Sequence, residues 1–154
     1  MKSIVCRPNK SLRRAPLFYK IFYAEGKLLK SEKYALKGRP DIIFRNIITG
    51  RLIPAELKSG RADKNSPQLP KIGDKMQLVA YFLLAEEVYG IRPKKGYLQY
   101  ADCLFVIKNT KKLRQELLQI LEDMRDMYIS GSGYAEPSFV KCRYCIAKNT
   151  VCEL

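Results

Sequence analysis

Residues 52–58, Leu-Ile-Pro-Ala-Glu-Leu-Lys, place a carboxylate and an ammonium two positions apart inside an otherwise apolar stretch. A strand sends residues i and i+2 to the same face, so Glu56 and Lys58 project together. Charges set among apolar strand residues are costly unless they are paired or bind a metal. The preceding segment Asp41-Ile42-Ile43-Phe44-Arg45 also reads as a strand, and Thr49-Gly50 marks a turn between the two. Asp41 can therefore lie beside Glu56. Two carboxylates on neighbouring strands form a hard-oxygen site suited to magnesium or manganese. A cation held there would polarise a phosphoryl oxygen and activate water. Lys58 would stabilise charge on the phosphate or orient the attacking water. The ordinary structural alternative is a Glu-x-Lys pair on a solvated face; the apolar neighbours argue against it.

The rest of the chain supplies a scaffold for such a site. Residues 7–20 are basic, are broken by Pro8 and Pro16, and read as an irregular or short helical lead-in. The alternation from Leu28 to Leu36 predicts one strand. Residues 59–73 contain two glycines and two prolines and read as a mobile loop. Asp74 is expected to cap a helix, with Gln77 three residues on as in a capping box. Met76, Val79, Ala80, Leu83, Leu84 and Val88 form its apolar stripe, and Gly90 stops it. Strands are expected around Gly96–Ala101 and Cys103–Ile107. Thr110 caps a second helix with Leu113, Leu117, Ile120, Leu121, Met124 and Tyr128 on one face, ended by Gly131-Ser132-Gly133. The order of strands, helix, strands, helix predicts an α/β fold with a central mixed β-sheet flanked by helices. With 154 residues, one domain is expected.

Composition narrows the chemistry. Lys and Arg number 29 against 15 Asp and Glu, a formal net charge of +14. Nucleic acid is the partner best able to relieve that self-repulsion. Lys64, Lys71 and Lys75 flank the expected loop and are candidates for lining a strand-binding groove. Histidine is absent, which excludes His-based triads and His-containing zinc sites. No apolar run is long enough for a membrane helix, and the opening residues carry no long apolar stretch. A cytoplasmic location with no membrane partner is expected.

Cysteines cluster at the end of the chain. Cys142-x2-Cys145-x6-Cys152 offers three thiolates, and Cys6 a fourth from the opposite end. Four thiolates can hold zinc or an iron–sulfur cluster, and spacing alone does not choose between them. Either would staple the two ends together. Cys103 reads as a small buried hydrophobe. Gln77 and Tyr81, one helical turn apart, share a face. They either serve the phosphate and Lys58 or act as a capping residue and a core-edge tyrosine.

Taken in order, Gly38-Arg39-Pro40-Asp41, Glu56-Leu57-Lys58, Gln77-Leu78-Val79-Ala80-Tyr81, Gly96-Tyr97-Leu98 and the cysteine series resemble the RecB-like branch of the PD-(D/E)XK nucleases. More narrowly, they resemble the CRISPR-associated RecB-like exonucleases, the fourth Cas protein family. The resemblance runs from about residue 26 to the end, plus Cys6. It implies a restriction-endonuclease-like core, with Asp41, Glu56 and the Leu57 carbonyl as ligands of Mn2+ or Mg2+. It implies Lys58 as the catalytic lysine, with Gln77 and Tyr81 as the Q-x-x-x-Y pair. It implies a 4Fe-4S cluster on Cys6, Cys142, Cys145 and Cys152. The activity implied is DNA exonuclease cleavage of single-stranded ends, in CRISPR spacer acquisition or other DNA processing, alongside CRISPR integration proteins. One departure stands out: the family carries a metal-binding histidine ahead of the G-x-x-D strand, and this chain has none. Glu25 and Glu32 are candidate substitutes. The departure leaves room for a catalytically weakened nucleic-acid-binding subunit that works with a partner nuclease or integrase.

Overall fold

The computed structural model of the protein describes residues 3–8, 12, 15–24, 27–62 and 69–131. The chain divides into two compact units, Met1–Gln119 and Ile120–Leu154. In the first, the described elements are β1 (Ile4–Pro8), β2 (Tyr19–Ala24), β3 (Leu29–Ser31), β4 (Leu36–Gly38), β5 (Ile42–Asn46), β6 (Leu52–Leu57), α1 (Ile72–Tyr89), β7 (Lys95–Gln99) and β8 (Cys103–Lys108). Helix α2 (Lys111–Ser130) begins there and continues into the second unit.

Six strands form one mixed sheet in the order β1-β8-β7-β6-β5-β2. The β6–β7 pair is parallel, and its neighbours are antiparallel. A parallel pair needs a crossover, and α1 supplies it. The expected α/β fold with a mixed sheet and flanking helices is therefore present.

The two faces of the sheet differ. Phe44, Ile53, Ala55, Tyr97 and Leu104 form a buried cluster on one, against which Leu12, Ala15, Tyr19, Ile42 and Val106 pack. The strand alternation sends Glu56, Leu98 and Phe105, which lie opposite one another in register, to the other face. Helix α1 packs on that face against β6 and β7, and it also packs against the separate two-stranded sheet β3–β4. Apolar neighbours on two sides explain why its buried set is wider than the single predicted stripe. Met76, Leu78, Val79, Tyr81, Phe82, Leu83, Leu84 and Ala85 are all buried, whereas Val88 is exposed.

Two glycines permit this packing. A Cβ on Gly96 would stand 2.7 Å from Phe82 Cε1 and 2.9 Å from the Pro54 carbonyl oxygen. A Cβ on Gly38 would stand 2.9 Å from Tyr81 Cε1. The helix lies so close to β7 and β4 because neither position has a side chain.

Several expectations need correction. The described residues 12 and 15–18 of the lead-in are irregular as expected, but its two ends belong to strands, β1 and β2. Both are edge strands of the sheet, where proline beside or within a strand costs no ladder partner. The single strand predicted from Leu28 to Leu36 is the hairpin β3–β4, turned through Glu32–Ala35. Ala35 takes a φ of 50° there, so the turn lacks the Gly or Asn that signals one. Helix α1 starts at Ile72, its N-cap is Lys71, and no side chain caps it, so Asp74 lies in the first turn and is not the cap. Gly90 does end the helix, at φ 65°. Thr110 does cap α2, its Oγ1 accepting the Leu113 N–H at 3.3 Å. Leu113 and Leu117 are buried, but Met124 and Tyr128, in the second unit, are 60% and 90% exposed. The apolar face of α2 is thus covered only in its first turns.

Candidate active site

Strand pairing brings the first two groups together. Ile42 lies opposite Ala55, so Asp41 and Glu56, one step further along, are neighbours at the same ends of β5 and β6. The Leu57 N–H donates to Asp41 Oδ2 at 2.7 Å, fastening the carboxylate to the end of β6. Pairing with β7 continues one residue past β6, where the Lys58 N–H donates to the Gln99 carbonyl at 2.8 Å. Lys58 is thereby held in extended geometry on the same face as Glu56.

Helix α1 closes the site from above. Gln77 Nε2 donates to Glu56 Oε1 at 2.7 Å and to Tyr81 Oη at 2.8 Å. Tyr81 donates in turn to the Arg39 carbonyl at 3.1 Å. Because the amide NH2 group is committed to these two acceptors, Gln77 Oε1 faces the other way and accepts from Lys58 Nζ at 2.7 Å. Lys58 Nζ also donates to Glu56 Oε1 at 3.0 Å. Of the five residues named from the sequence, Glu56, Lys58, Gln77 and Tyr81 thus share one hydrogen-bond network, and Asp41 stands beside it, tied to the Leu57 backbone.

Glu56 is 5% exposed, and its Oε2 is buried without a hydrogen-bond partner. Burial raises its pKa; the Lys58 hydrogen bond opposes the rise, and the Asp41 charge adds to it. A buried anionic oxygen without a donor is costly, and a cation is the ligand that removes the cost. The donor set of Asp41, Glu56 and the adjoining Leu57 carbonyl fits a hard divalent cation in oxygen chemistry. Among the described residues no group of three His, Cys, Asp or Glu side chains is placed to hold a metal. Glu32, offered above as a substitute for histidine, sits exposed in the β3–β4 turn, not in a strand. Glu25 lies outside the described residues.

For Lys58, desolvation alone would lower the pKa. The hydrogen bond and charge of Glu56, with the charge of Asp74, outweigh it and raise the pKa, so the group stays an ammonium. Burial pushes the Tyr81 phenol up to about 12, against a hydrogen bond from Gln77 and with the Glu56 charge. Tyr81 is therefore a neutral donor at any physiological pH.

Two participants were not named as site residues from the sequence. Asp74 Oδ1 lies 3.4 Å from Lys58 Nζ, and Tyr100 donates to Asp74 Oδ2 at 2.5 Å. Asp74 stands three residues before Gln77 on the helix, a spacing that shares a face and could have suggested it. Tyr100, just past β7, carried no such signal. Of the basic residues expected along the loop, Lys75 pairs with Glu116 at 2.9 Å, Lys71 is exposed, and Lys64 lies outside the described residues.

Cys6 lies on edge strand β1 opposite Phe105, on the same sheet face as Cys103. Cys103 is buried, as expected for a small hydrophobe. Burial raises its thiol pKa, and the neighbouring Cys6 thiol raises it further. Cys142, Cys145 and Cys152 lie outside the described residues. Among those described, no helix is long and apolar enough to cross a membrane. No family model matches the chain, and no curated protein matches it in sequence.

Proposed function

We propose that this chain is a divalent-metal-dependent DNA nuclease with a PD-(D/E)XK core, acting as an exonuclease on single-stranded ends in CRISPR spacer acquisition or related DNA processing. The observation that carries the reading is the buried, unpartnered Glu56 Oε2 beside Asp41, with the Lys58 ammonium on the same carboxylate. Asp41, Glu56 and the Leu57 carbonyl would hold Mn2+ or Mg2+. The cation, when bound, supplies Lewis-acid polarisation of a phosphoryl oxygen and a more acidic water. The chain's own residues do the rest. Lys58 presents a fixed positive charge to the phosphate, where charge grows in the transition state. Gln77 aims Lys58 by accepting a hydrogen bond from its ammonium, and Tyr81 fixes the Gln77 amide in the orientation that makes this possible. The net charge of +14 draws in the polyanion. The thiolate set Cys6, Cys142, Cys145 and Cys152 suits a 4Fe-4S cluster, with zinc as the alternative.

A second reading has a specific observation behind it. The chain lacks histidine, and no third metal-ligating side chain joins the two carboxylates among the described residues. A catalytically weakened DNA-binding subunit, working beside a partner nuclease or integrase, would look the same.

Cleavage of end-labelled single-stranded DNA by anaerobically purified protein, with Mn2+, Mg2+ or EDTA, separates the two. The nuclease reading expects metal-dependent cutting that falls at least about 100-fold in Lys58→Ala and Glu56→Ala with DNA binding kept. Undiminished cutting in either variant refutes the assigned roles. Retained binding without cutting under any metal selects the second reading. Cys145→Ala is expected to be colourless and less stable; a colourless wild type with stoichiometric zinc rules out the iron–sulfur assignment.

A further inference from the structure

Lys58 has a carboxylate on each side. Glu56 comes from β6, and Asp74 from the first turn of α1. The two differ in what a cation at the site would do to them. Glu56 would share its charge with the metal, so its hold on the ammonium would weaken while the metal itself repelled Lys58. Gln77 is neutral and cannot make up the difference. Asp74 is the anionic partner of Lys58 that lies outside the Asp41–Glu56 pair.

The surroundings of Asp74 are built to keep it there. Tyr100 is 1% exposed and donates its hydroxyl proton to Asp74 Oδ2 at 2.5 Å, which leaves Oδ1 directed at Lys58. The Tyr100 hydroxyl accepts the Lys71 N–H at 3.3 Å, linking it to the residue that starts α1. Its ring meets Phe105 edge-on with centroids 5.8 Å apart, and its backbone N–H donates to the Cys103 carbonyl at 2.8 Å. Burial, and then the bond to Asp74, hold the phenol well above its ordinary pKa, so it remains a donor.

We propose, on the nuclease reading above, that Asp74 is the positioning residue that holds the Lys58 ammonium at the phosphate once Glu56 engages the cation, and that Tyr100 orients Asp74 for this task. The device spans three separated segments: the end of β6, the start of α1 and the turn after β7. It does not require Asp74 to touch the metal or the DNA.

Asp74→Asn keeps an acceptor for Tyr100 but removes the charge, and Tyr100→Phe removes only the orienting bond. Steady-state cleavage with Mg2+ is expected to show kcat lowered about 100-fold in Asp74→Asn and about tenfold in Tyr100→Phe, with KM for DNA unchanged. Full activity in Asp74→Asn overturns the proposal, as does a loss that falls on KM. Calorimetric titration with Mn2+ is expected to give the same affinity in wild type and Asp74→Asn. A weaker affinity in the variant would make Asp74 a metal ligand and overturn the positioning role. The third readout needs no activity. The 15N signal of the Lys58 ammonium, assigned by its loss in Lys58→Met, should persist in wild type with Mg2+ and be lost to exchange in Asp74→Asn. If the wild type cuts no DNA, the nuclease reading fails, yet this signal still decides the placement of Lys58. An identical signal in the variant overturns the proposal.

Discussion

Replacing Gly96 by alanine tests the central packing of the molecule. A Cβ at this position would meet Phe82 Cε1 at 2.7 Å, the Pro54 carbonyl oxygen at 2.9 Å and Leu78 Cδ1 at 3.0 Å. None of the three has an easy way out. Phe82 and Leu78 are fully buried, and the Pro54 carbonyl is backbone in β6. Relief requires α1 to lift from the sheet by a few tenths of an ångström. Overpacking of this kind costs about 2 kcal/mol, which lowers Tm by about 6 °C in a chain of this size. The lift also acts on the site, because Leu78 adjoins Gln77, whose amide bridges Glu56 and Tyr81. Gly73→Ala is the matching control. A Cβ there meets nothing within 4 Å, and the position is in the first turn of α1, so the variant should gain about 0.5 kcal/mol. Thermal unfolding followed by circular dichroism compares the three proteins. Gly96→Ala melting within a degree of the wild type would refute the close helix–sheet approach on which this description of the site depends.

The alkaline limb of stability carries a signature of Tyr81. Its phenol ionises at an ordinary 10.0 in the unfolded chain and at about 12 when folded, so the contribution is complete below pH 10 and is lost as pH rises from 10 to 12. Wild type should lose on the order of 2 kcal/mol more across that window than Tyr81→Phe in denaturant titrations; equal slopes would refute the assignment. At neutral pH the same variant should be about 1 kcal/mol less stable, since the Gln77 amide and the Arg39 carbonyl each lose a partner. Glu56 has its pKa raised, so its ionisation opposes folding as pH climbs past 4.5. Mg2+ or Mn2+ at ten times Kd should therefore stabilise the protein by about 1.4 kcal/mol, and EDTA should reverse the gain. Glu56→Gln should abolish the cation effect on Tm, and an undiminished shift would place the cation elsewhere.

What could be read from the sequence divides along a physical line. The strand pair around Asp41 and Glu56 was legible because apolar residues flanked by turn signals report their own local conformation. The shared face of Glu56 and Lys58, and that of Gln77 and Tyr81, follow from the repeat of a strand and of a helix. The glycine stop at Gly90 and the threonine cap at Thr110 were legible for the same reason: each acts within one turn of itself. The failures lay where local signals were weak or misleading. Pro8 and Pro16 disguised the neighbouring edge strands, and the β3–β4 turn used Ala35 where glycine is usual. Asp74 had the composition of a cap, but the helix begins two residues before it and its carboxylate meets Tyr100 and Lys58 instead.

By itself, the sequence determined the order of β5 to β8 and the two helices, the excess of positive charge, and which side chains share a face along one element. Those properties depend on neighbours in the chain and on composition alone. The tertiary structure decided that β1 and β2 would close the sheet, that α1 would be covered on two sides, and that Lys58 would stand between Glu56 and Asp74. It also decided that one oxygen of Glu56 would be buried without a donor. Each of these depends on which distant segments meet, and desolvation acts on a carboxylate only after the chain has folded around it.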